Sequence, residues 1–185
     1  MISMEPWPEK LSRKDAARLE LDASVRNFFL NEDLIAAHLL AWAALDVISD
    51  VGKARGVRTL RKMMSEKADE NTRKAWSKAE RDHYNFMKHA DRDPDRTVRL
   101  LPDMTTFAMY TACRDYLAVF GDNTSSMAIF MGWFLNRNSS MAASFDEEYQ
   151  RVVTDFGVTE EGAWTEARVL LEFALQHPEL NLPQA

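Results

Sequence analysis

Apolar residues recur along this chain at helical spacing. Leu21, Val25, Phe28 and Phe29 stand at i, i+4, i+7 and i+8, one stripe along a helix of 3.6 residues per turn. Ser12 with Asp15 has the spacing of a capping box, so the first helix is expected from Ser12 to about Leu30. Asn31-Glu32-Asp33 is a short polar break suited to capping a following helix. That second helix, about 33–50, is apolar nearly all round: Leu34, Ile35, Leu39, Leu40, Trp42, Leu45, Val47 and Ile48. Such a helix belongs at the centre of a bundle, and so short a break makes an antiparallel hairpin of the pair.

Gly52 and Gly56 punctuate the chain beyond the second helix. A short helix is expected around 57–66, with Val57, Leu60, Met63 and Met64. A fourth, about 68–92, carries Trp76, Ala79, His83, Phe86 and Ala90 and ends at Asp93-Pro94. Pro102-Asp103 opens a fifth, stopped by Gly121. Asn123 or Thr124 caps a sixth, which holds Ile129, Phe130, Met131, Trp133, Phe134 and Leu135 and breaks over 136–140. A seventh helix to about Phe156 and an eighth from Thr159 to His177-Pro178 complete the pattern. No convincing period-2 strand, repeat or linker interrupts it. The expectation is an all-α, single-domain bundle of about seven or eight helices, with an arm over 1–11, the domain over 12–178 and a tail over 179–185.

Composition supports this pattern. The 185 residues include only six Gly and six Pro, below the usual shares of roughly 7% and 5%, which argues against a turn-rich sandwich or barrel. Cys113 is the sole cysteine, so no intramolecular disulfide forms and a reducing compartment is the simplest reading. The N-terminus, MISMEPWPEK, lacks the basic and apolar regions of a secretory signal. The most apolar stretch, Leu34 to Leu45, is shorter than the roughly 20 residues of a membrane span. A cytoplasmic protein with no membrane partner is expected.

Charge changes the picture more. The net charge of −6 conceals a basic middle: residues 51–100 hold 14 Lys or Arg against 8 Asp or Glu, and residues 101–185 hold 4 against 12. Lys53, Arg55, Arg58, Arg61 and Lys62 precede any acid in that middle stretch. Such a region can meet phosphate, or form a solvated surface opposite acids elsewhere.

The densest chemistry lies at the end of the fourth helix, in Arg81-Asp82-His83-Tyr84-Asn85-Phe86-Met87-Lys88-His89. Arg81, Asn85 and His89 are spaced by four and share a face. Imidazole exchanges a proton near neutral pH, Asn can orient it, and Arg or Lys can hold phosphate. Glu80 and His83 have the Glu-x-x-His spacing of di-iron bundles, but no second such motif exists and His83 falls on the apolar stripe. No metal or cofactor is therefore expected. His38, inside the most apolar helix, is expected to be a buried polar anchor. Met127, Met131, Trp133, Phe134 and Met141 fit core packing or an adaptable interface such as a dimer seam.

The helical hairpin with its Asn-Glu-Asp break, the Ala-rich second helix and the later Asn85-Phe86-Met87-Lys88-His89 together resemble the HEPN superfamily, over roughly residues 12–95. The resemblance implies an all-α bundle. It also implies either a metal-independent RNase or a non-catalytic module that binds nucleotides or proteins. His89 matches the motif His as general base or phosphate contact, and Asn85 matches the polar residue after the motif Arg. Tyr84 occupies the Arg position; Arg81 lies one turn upstream, with seven residues before His89 where the family has four to six. The resemblance thus implies catalytic roles for His89, Asn85 and Arg81. Arg58, Arg61, Lys62, Lys88 and Arg92 are the candidate nucleic-acid contacts, with RNA or a nucleotide as ligand. A homodimer is implied too, because family motifs commonly meet across two subunits. The alternative is a non-enzymatic homodimeric interaction module.

Overall fold

Seven helices and no strand make up residues 10–88, 94–138 and 163–178, which are the residues described by the computed structural model. They are α1 (Arg13–Phe29), α2 (Leu34–Arg55), α3 (Leu60–Lys67), α4 (Glu70–Lys88), α5 (Pro102–Phe120), α6 (Ser125–Arg137) and α7 (Ala163–Gln176). The expected all-α bundle is what forms. The helix expected to end at Phe156 lies outside the described residues, as does the Thr159 start of the last one.

Local chemistry sets the helix starts. Ser12, Asp33, Thr59 and Thr124 each accept a backbone N–H three residues on, from Asp15, Ala36, Lys62 and Met127, satisfying donors that an α-helix leaves open in its first turn. Asp69 does the same for α4: its Oδ1 accepts from the Asn71 and Thr72 N–H groups. The Thr72 hydroxyl and these N–H groups hold its carboxyl below the usual range. Pro102 sits in the first turn of α5, where its missing N–H costs nothing. Gly121, at φ 82°, closes that helix.

The largest shift of an expected boundary among the described residues is at the end of α2. The second helix runs on to Arg55, five residues past the expected end. Gly56, not Gly52, takes the left-handed conformation that terminates it, at φ 70°. Gly52 stays helical and buried because α2 comes close there: a Cβ would lie 3.0 Å from both Thr59 Cγ2 and Val119 Cγ2. This full-length α2 is long and apolar enough, by length and composition, to cross a membrane, which the 34–45 stretch alone did not suggest. In the bundle it packs chiefly against α1 and α5.

The core follows from these faces. Ala17, Leu21, Val25 and Phe29 of α1 meet Ala37, Ala41, Leu45 and Ile48 of α2 at full or nearly full burial. The Ser24 hydroxyl donates to the Ala37 carbonyl at 2.8 Å across the hairpin. His38 is fully buried, and its Nδ1 shares a 3.0 Å hydrogen bond with Thr105 Oγ1 of α5. It is the polar anchor expected, held from α5. Met127, Met131, Trp133 and Phe134 of α6 are buried in the same core, the packing reading of that cluster. Phe28, Phe29, Phe130, Trp133 and Trp164 form an aromatic group joining α1, α6 and α7, with ring centroids 4.9–6.2 Å apart. Cys113 is fully buried, which pushes its thiol pKa far up and leaves it a small apolar group.

A basic trough along α2, α3 and α4

The basic middle of the sequence folds into the end of α2, all of α3 and α4. Asp115 of α5 docks α3 onto the bundle. Its Oδ1 accepts the Leu60 N–H at 2.5 Å and its Oδ2 accepts the Arg61 N–H at 3.4 Å. Burial pushes the Asp115 carboxyl up to about 6, against the pull of those two N–H groups and of Arg114 and Arg61. Asp115 is thus a second cap on α3, supplied from 55 residues away.

Docked in this way, α3 lays Arg61 across Trp42 of α2, the guanidinium carbon 5.7 Å from the ring centroid. Arg61 also reaches Asp46 at 3.4 Å. Arg58 pairs with Glu66 at 3.0 Å. Arg55 donates to the Val119 carbonyl at 3.0 Å and lies over Phe120. The arginines of the run are therefore largely spent on the fold. Exposed Lys53, Lys62, Arg73 and Lys78 are not: none has a carboxylate partner among the described residues.

These free cations line three adjoining concavities. One, of about 490 Å³, runs over the α2–α3 junction and includes Lys53, Thr59, Arg61, Lys62 and Ser65. A narrower one, of about 210 Å³, is walled by Trp42, Leu45, Arg61, Met64, Ser65, Arg73, Ser77, Phe107, Ala108 and Thr111. The third, of about 570 Å³, is an open face of α4 with Glu70, Arg73, Lys74, Ser77 and Lys78. Arg61 and Ser65 belong to the first and second, Arg73 and Ser77 to the second and third. The three form one basic trough across α3.

Of the residues singled out from sequence, Lys62 lies in this trough as a free cation, Arg61 as a paired one, and Arg58 is tied to Glu66. Arg81, Asn85 and Lys88 lie on α4, and Asn85 is half-buried. His89 and Arg92 lie outside the described residues, so the expected cluster is placed only by its α4 members. Arg96, a further candidate cation, pairs with Asp82 at 2.6 Å. No group of three His, Cys, Asp or Glu side chains converges among the described residues. Sequence reading passed over Arg73 and Lys78. Their signal was helical spacing, Arg73 one turn before Ser77 and Lys78 one turn after Lys74, on the turns that follow a capping Asp69.

In comparisons with known proteins, no family model, no curated protein and no solved structure matches this chain.

Proposed function

We propose that this is an HEPN-like helical protein that binds RNA or a nucleotide along the trough over α2, α3 and α4. The observation that carries the reading is the set of unneutralised cations, Lys53, Lys62, Arg73 and Lys78, around concavities with hydroxyl groups and an arginine-stacked tryptophan. Cations already paired with carboxylates gain little from a phosphate, because the first partner must be given up. Free ones gain counterion release. The α1–α2 hairpin and the α4 position of Arg81 and Asn85 support the family reading.

Reversing the three lysines together (Lys53→Glu, Lys62→Glu, Lys78→Glu) breaks no ion pair among the described residues. It is expected to weaken binding of a labelled single-stranded RNA by at least about 10-fold at about 0.1 M salt, read by fluorescence anisotropy, with an unchanged thermal midpoint. Equal affinity in the triple variant would remove the trough as the binding surface. Cleavage is a separate matter. In the HEPN-like reading His89 assists attack of an RNA 2′-hydroxyl on the adjacent phosphate, with Arg81 or Lys88 near its charge. Products that vanish in His89→Ala support that role; equal products from both proteins, or none from either, end it.

A second reading, a homodimeric interaction module, is favoured by α7. Val169 and Phe173, one turn apart, are 57% and 46% exposed, an apolar pair of the kind a dimer seam covers. Sedimentation showing a salt-insensitive dimer without RNA binding would favour this reading over the first.

A further inference from the structure

We infer that the narrow cavity between α2, α3, α4 and α5 is a binding site for a small aromatic anion, a single ring system bearing one phosphate or carboxylate group. The inference deepens the proposed function, and rests on it in taking the trough as the ligand's path of approach. Two kinds of wall meet here. Trp42 and Phe107 supply aromatic surface, with Leu45 and Met64 beside them. Arg61 and Arg73 supply two guanidinium groups, and Ser65 and Ser77 supply hydroxyls. No carboxylate is among the described lining residues; an anion entering meets Arg73 directly and shares Arg61 with Asp46.

Three details point to a ligand rather than to a packing gap. Packing gaps are lined by apolar groups and stay dry; this one carries four polar side chains from α3 and α4 on one side and aromatic surface from α2 and α5 on the other. Arg73 has no carboxylate partner among the described residues, although acids lie within its own helix. Trp42 is only 7% exposed and its indole N–H has no hydrogen-bond partner among the described residues, an unusual state for a buried donor. The volume of about 210 Å³ lies below the roughly 300–1,000 Å³ of sites for larger ligands. That admits one ring system with its anionic group and excludes a duplex. A guanidinium forks onto phosphate and carboxylate alike, so both sources of charge satisfy the site.

Titration calorimetry of the full chain separates the components. Phenyl phosphate and benzoate are the two aromatic anions; phenol and inorganic phosphate carry one feature each. The expected result is that at least one aromatic anion binds at least about 10-fold more tightly than phenol and than inorganic phosphate. Comparing the two anions assigns the charge to phosphate or to carboxylate. Arg73→Gln, an exposed change that breaks no ion pair among the described residues, is expected to weaken binding of that ligand by about 10-fold. Ser77→Trp, which fills the cavity, is expected to abolish it in a chain whose melting curve shows it folded. Equal affinity of phenol and both aromatic anions, no binding by either anion, or undiminished binding in Arg73→Gln would overturn the inference. Small-anion binding without RNA binding leaves the cavity standing and removes the RNA reading. RNA binding without small-anion binding does the reverse.

Discussion

Phe29→Ala is expected to destabilise the protein by about 3–5 kcal/mol, the range for truncating a fully buried aromatic ring. Phe29 is 0% exposed and its ring centroid lies 5.1 Å from Phe28, 5.3 Å from Trp133 and 4.9 Å from Trp164. These contacts join the N-terminal hairpin to α6 and α7. The ring sits at the last residue of α1, just before the Asn31–Asp33 link, so the surrounding elements come from distant parts of the sequence and cannot close together over the space left behind. A domain of ordinary stability holds only about 5–15 kcal/mol in total, so the loss is a large share of it. Urea denaturation of both proteins checks this. A change below about 1 kcal/mol would mean that α6 and α7 do not depend on the ring for docking.

The second large effect is expected at Asp115. Asp115→Ala leaves the Leu60 N–H buried without its acceptor and weakens the hold on the Arg61 N–H, at a cost of about 1–3 kcal/mol. It should also lower affinity for RNA, because α3 carries Arg61, Lys62 and Ser65 into the trough. The same carboxylate brings a pH dependence. Its folded-state pKa of about 6 lies above that of an unfolded Asp, about 3.9. The folded chain therefore holds a proton that the unfolded chain has lost. The resulting stabilisation is fully present below about 3.9 and is lost as the pH rises through about 6. Measured against Asp115→Asn, which does not titrate, the wild type should lose on the order of 1 kcal/mol between about pH 5 and pH 7.5. A constant difference between the two proteins over that range would contradict the burial argument.

Features written in local spacing were legible in the sequence. The Leu21, Val25, Phe28 and Phe29 stripe, the caps at Ser12 and Thr124, the Gly121 stop and the hairpin link all depend on residues within a turn or two of each other. The end of α2 was not. Gly52 and Gly56 are equivalent by spacing; what separates them is tertiary, since Thr59 and Val119 pack where a Cβ of Gly52 would stand and Gly56 has open space around it. The site was legible as a charge imbalance but not as a geometry. Whether Arg58 and Arg61 are free depends on Glu66 and Asp46, eight and fifteen residues away, and on where α3 docks. That docking depends in turn on Asp115, which local pattern ties to nothing. Trp42 read as core; it is core and also the wall of a cavity, whose other sides Arg61, Arg73 and Ser77 supply from α3 and α4.

The central claim is that phosphate meets the free cations of the trough. Its most direct test is the affinity of single-stranded RNA for the full chain across a salt titration. Four cations, Lys53, Lys62, Arg73 and Lys78, engaging phosphate should make the logarithm of the association constant fall with that of the salt concentration at a slope of about −3. The triple lysine reversal should flatten it. A slope near zero, or no binding at the lowest salt, would contradict the claim.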